Sequence, residues 1–117
     1  MEKWSSRVRG VFHCFTGDRA ALERILAMGS LVSFTGILTF KNAQNVRDAL
    51  AAAPAGKFML ETDCPFLAPI PYRGKRCEPG HVQEIARMAA ETRRCSLDEL
   101  SAMTCQTARD FFPRLTS

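Results

Sequence analysis

No C-x-x-C pair occurs anywhere in this sequence, and its five cysteines, Cys14, Cys64, Cys77, Cys95 and Cys105, are scattered and odd in number. That spacing argues against a disulfide framework or a zinc knuckle and for a reducing compartment. The opening MEKWSSRVRG lacks the apolar core of a secretory signal. No apolar run approaches the roughly eighteen residues that a membrane-crossing helix needs. Internal repeats and low-complexity linkers are missing too. These absences together predict a cytoplasmic α/β piece with no membrane partner.

What is present is ordinary globular material. The chain has 117 residues, 46% hydrophobic and 24% charged, so residues 1–117 are expected to form a single domain at most. A net charge of +4 fits a polyanionic partner without requiring one.

Apolar periodicity orders the chain. Val8 to Phe15 is β-branched and aromatic, and Asp18 is placed to cap a helix carrying Leu22, Ile25 and Leu26 that ends at Gly29. Leu31 to Thr35 reads as a second strand. Val46, Ala49, Leu50 and Ala53 then recur at helical spacing. A third strand runs from Phe58 to Thr62, and a proline-stiffened loop follows from Cys64 to Glu78. Pro79 suits a first helical turn, and Ser96 with Glu99 forms a capping-box pattern opening a last helix, stopped by Pro113. The order β-α-β-α-β-α-α predicts parallel strands with both faces covered.

In parallel α/β folds chemistry collects at the carboxyl ends of strands. Those ends here carry His13, then Ser33 and Thr35, then Glu61 and Asp63. Alternation puts Val11 and His13 on one face, and Met59, Glu61 and Asp63 on one face of the third strand. An imidazole and a carboxylate on neighbouring strands can converge on a divalent cation. Taken singly, His13 also reads as a core histidine, Asp63 as a turn cap and Glu61 as a buried structural carboxylate. Glu61 is placed to orient a ligand from behind. Cys14 is expected to pack toward the helices and His81 to be solvated. Lys41, Arg73, Lys75 and Arg76 follow strand ends, where they could hold phosphate.

The segments GVFHCFTGD, LVSFTGILTFKNA, LETDCPFLAPIPYRGKRCEP and TCQTARDFF together resemble the C-terminal half of the TatD-type metal-dependent hydrolases, a family of deoxyribonucleases. The likeness runs from Gly10 to Phe112. It implies strands six to eight, with their helices, of a TIM-type (β/α)8 barrel. It also implies that His13 and Asp63 are metal ligands and catalytic residues for a magnesium, manganese or zinc ion. The family's other ligands, an H-x-H pair, a Glu and a His, lie on earlier strands and have no counterpart here. Cys77 and Thr107 stand where the family usually has Asn.

On this resemblance the intact enzyme would hydrolyse DNA phosphodiesters, with the present portion inactive alone. The alternative is a non-catalytic remnant that binds nucleic acid or a partner barrel half through its basic loop. Hydrolysis of an amide or lactone is a weaker third reading, because the loop's charges favour phosphate. Three strands of a barrel leave open edges, so inward residues such as Val11 and Met59 are expected to meet water. Self-association or pairing with an N-terminal half would relieve that exposure.

Overall fold

The computed structural model describes residues 10–112. Three parallel strands lie in the order β1-β2-β3: β1 is Val11–Phe12, β2 is Leu31–Phe34 and β3 is Phe58–Leu60. Helices α1 (Arg19–Ala27), α2 (Gln44–Ala52), α3 (Val82–Arg93) and α4 (Leu97–Phe111) complete the predicted alternation. Residues 8 and 9 of the expected first strand and the stop at Pro113 lie outside the described residues.

The register pairs Val11 with Leu31, Phe12 with Val32, Ser33 with Met59 and Phe34 with Leu60. Paired residues of parallel strands share a face. Val32, Phe34 and Phe58 thus point into one core with Leu22 and Ile25 of α1, Val46 and Leu50 of α2, and Ile85 of α3. Phe34 sits at its centre, edge-on to Phe15 at 5.7 Å and to Phe58 at 6.0 Å. Leu31, Ser33 and Met59 occupy the opposite face.

The helix ends follow from local chemistry. Asp18 accepts the Ala21 N–H at 3.0 Å and opens α1, satisfying one of the donors a helix start leaves unpaired. Ser96 accepts the Glu99 N–H at 3.0 Å and opens α4, while the Glu99 carboxylate reaches back to the Ser96 hydroxyl at 3.2 Å. Pro79 begins a single 3-10 turn, Pro79–His81, that leads into α3.

One expectation fails. Met59 is only 9% exposed, because α4 folds back beside β3. Val11 is half-buried. Apolar surface is left open beside it in a groove of about 720 Å³ lined by Met59, Leu60, Val82, Ala86, Leu97 and Phe112.

Candidate functional site

Glu61 joins the three strand ends. It follows β3 directly, and its backbone N–H continues the sheet by donating to the Phe34 carbonyl at 2.9 Å. Its carboxylate oxygen Oε2 accepts the Ser33 hydroxyl and the Cys14 N–H, the latter at 3.3 Å. His13 Nδ1 stands 3.9 Å from the other oxygen, Oε1, beyond direct hydrogen-bond length. With Nδ1 turned toward Glu61, Nε2 is the ring nitrogen left for another partner.

Cys14 departs from its expected place. Its φ of 53° ends the strand alternation, so its N–H reaches Glu61 and its thiol lies 3.8 Å from the Thr35 hydroxyl. The thiol thus faces the rim rather than the helix layer. Asp63 is exposed, and its carbonyl accepts the Phe66 N–H at 2.8 Å. Among the described residues, no hydrogen bond or ion pair joins His13 to Asp63. The strands bring His13, Ser33 and Glu61 together; Asp63 stands two residues beyond Glu61, past the end of β3.

The loop from Cys64 to Glu78 packs on the turn that follows β2. Gly36 makes this possible, since a methyl group there would overlap the Leu67 carbonyl oxygen and stand 3.0 Å from the Pro69 nitrogen. Thr39 then accepts the Ile70 N–H at 2.9 Å. The Arg73 guanidinium lies 4.1 Å from the centre of the Phe40 ring, a cation–π distance. Arg47 holds that turn from beneath, donating to the carbonyls of Leu38, Phe40 and Lys41 at 3.0, 2.6 and 3.3 Å.

At its far end the loop is fixed by His81, which is half-buried rather than solvated. The imidazole stacks on Tyr72 at 4.3 Å and 10°, and Nδ1 accepts the Glu78 N–H at 3.1 Å. The Glu78–His81 spacing around Pro79 was the available signal, since a side chain three residues on can reach back to a turn's first N–H. Thr39, Phe40 and Arg47 offered no such signal. Burial pushes the Cys77 thiol up from its ordinary value, and neighbouring Cys64, Asp63 and Glu78 add to the effect. Lys41, Arg73, Lys75 and Arg76 remain exposed, Arg73 on its aromatic support.

Known proteins share this sequence and fold. A family described as TatD related DNase matches residues 1–113. YabD of Bacillus subtilis, called an uncharacterized metal-dependent hydrolase, is 37% identical over 111 residues, covering 95% of this chain and 44% of its own length. YcfH of Escherichia coli, described in the same words, is 42% identical over 106 residues, covering 91% of this chain and 38% of its own length. The crystal structure of YJJV, a TatD homolog from Escherichia coli, matches with a TM-score of 0.80 at 27% identity, over 86% of this chain and 39% of that one. A TatD family hydrolase from Entamoeba histolytica shares the fold with a TM-score of 0.80 at 21% identity, over 92% of this chain and 43% of that one. The chain spans less than half the length of each of these relatives.

Proposed function

The chain belongs to the TatD-related DNase family, and we propose that it forms part of a metal-dependent hydrolase that cleaves DNA phosphodiesters. In this reading its strands are three of the eight in a (β/α)8 barrel, and residues 1–117 are one partial domain. The observation that carries it is the arrangement around Glu61. One carboxylate ties the ends of three parallel strands together, His13 stands beside it, and a tethered basic loop follows on the same rim.

Within the described residues, no group of three or more His, Cys, Asp and Glu side chains could hold a metal ion. His13 and Asp63 fit a metal only as two members of a larger ligand set, completed from other strands of the barrel. Held by such a set, a divalent ion would supply Lewis-acid polarisation of the phosphoryl group and would acidify water. Glu61, 3.9 Å from His13 Nδ1, is placed behind the imidazole, where closing that gap in the completed site would let it orient a ligating ring. Lys41, Arg73, Lys75 and Arg76 hold the phosphates, Arg73 with its guanidinium plane set by Phe40.

The rest of the barrel packs on the apolar groove between β3, α3 and α4, where Leu97 and Phe112 are 43% and 46% exposed. Without that cover the same surface favours self-association. The incomplete ligand set also favours a second reading, in which this chain by itself binds nucleic acid and does not turn over.

Both readings require the basic loop to meet phosphate. Lys75→Gln and Arg76→Gln are each expected to weaken DNA binding and to reduce the slope of log affinity against log salt by about 0.7–0.9 for each phosphate no longer neutralised. Fluorescence anisotropy across a salt series measures this. Unchanged affinity and slope in the double variant would make the loop an ordinary solvated surface and remove the nucleic-acid reading.

A further inference from the structure

Resting on that nucleic-acid reading, we propose that Phe66 is a stacking surface for a nucleobase of the bound strand. Phe66 is 67% exposed, the most displayed large apolar side chain among the described residues. It does not line the apolar groove beside β3, so its exposure is separate from that groove's.

The backbone beneath it is fixed. The Phe66 N–H donates to the Asp63 carbonyl at 2.8 Å, and the preceding residue's carbonyl accepts the Cys77 N–H at 3.0 Å. Just beyond, Ala68 and Pro69 are buried, and the Ile70 N–H is bonded to Thr39. The phenyl ring thus projects from an anchored segment, three residues from Asp63. Little backbone freedom is left there for a ligand to remove, which favours binding.

The same loop carries Arg73, Lys75 and Arg76. Cations select a polyanion, and a flat exposed ring selects a planar base. Their combination is the usual makeup of a surface that holds unstacked nucleotides, because every base offers a π face. An acidic peptide would satisfy the cations but has no general use for the ring. The backbone bond between Phe66 and Asp63 keeps this ring on the segment that leaves β3.

The test compares two short strands of equal length and charge in chelator-containing buffer: an oligodeoxythymidylate, and an abasic sugar-phosphate strand. The chain is expected to prefer the base-bearing strand by roughly five- to a hundredfold. Phe66→Ala should abolish that preference while keeping the abasic affinity and its salt slope. Phe66→Trp should restore it. A preference that survives Phe66→Ala, or is absent from the unsubstituted chain while abasic binding persists, overturns the stacking assignment and leaves the phosphate reading standing. A change of sedimentation in Phe66→Ala would identify a protein contact and overturn it equally. Failure of both strands to bind would remove the phosphate reading as well.

Discussion

Glu61→Ala is expected to lower the stability of this chain by about 2–4 kcal/mol. The carboxylate accepts from the buried Ser33 hydroxyl and from the Cys14 N–H, and a partner left unpaired in a protein interior costs ~1–3 kcal/mol. Glu61 keeps 25% of its side-chain surface, so water reaches part of the gap and the lower half of the summed range applies. Domains of this size have only ~5–15 kcal/mol in hand. Glu61→Gln retains an acceptor oxygen and should lose about half as much. Urea unfolding measures both, as a lowered midpoint at unchanged slope. Equal midpoints for Glu61→Ala and the unsubstituted chain would mean that the three strand ends are not held by this residue. In a completed enzyme the same change is expected to reduce metal affinity or activity by about 10–100-fold, as loss of a supporting carboxylate usually does.

The second large effect is expected at Gly36. A methyl group there has no room, because the Leu67 carbonyl and Pro69 lie against the α-carbon. Either the loop lifts or the turn after β2 shifts, at about 1–3 kcal/mol for overpacking. A lifted loop would break the Ile70–Thr39 hydrogen bond and separate Arg73 from Phe40. Gly36→Ala should thus speed exchange of the Ile70 amide hydrogen and weaken DNA binding together. Gly80→Ala is the control, since nothing lies within 4 Å of the added carbon. Undisturbed exchange at Ile70 in Gly36→Ala would show that the loop is not seated on this turn.

Much of this architecture is legible in the residues. Helical spacing places α1 to α4, and Asp18 and Ser96 cap as their side-chain chemistry requires. Glu61 announces itself as a charge closing an apolar strand, which must find donors when buried. The strand ends are less legible. β1 ends at Phe12, ahead of the left-handed turn at Cys14, and β2 ends at Phe34 because the Thr35 hydroxyl accepts the Ile37 N–H at 3.3 Å and starts a 3-10 turn. Alternation along a strand stops being a guide once the strand stops, which is why it misplaces Cys14. Most supports of the basic loop are not legible: beyond the Glu78–His81 spacing, Thr39, Phe40 and Arg47 act through contacts set by how a long irregular segment folds back, and no periodicity encodes that.

Metal-dependent cleavage of DNA, compared between this chain alone and the same chain grafted in place of its matching segment in YcfH, tests most directly whether it is one part of a composite hydrolase. Single- and double-stranded DNA with magnesium or manganese are the substrates, and sedimentation is run alongside. The chain alone is expected to give no cleavage. The graft is expected to cleave, and to lose cleavage on His13→Ala or Asp63→Ala. Cleavage by the dispersed 117-residue chain that vanishes on either substitution would contradict the composite site, as would a folded, active graft indifferent to both.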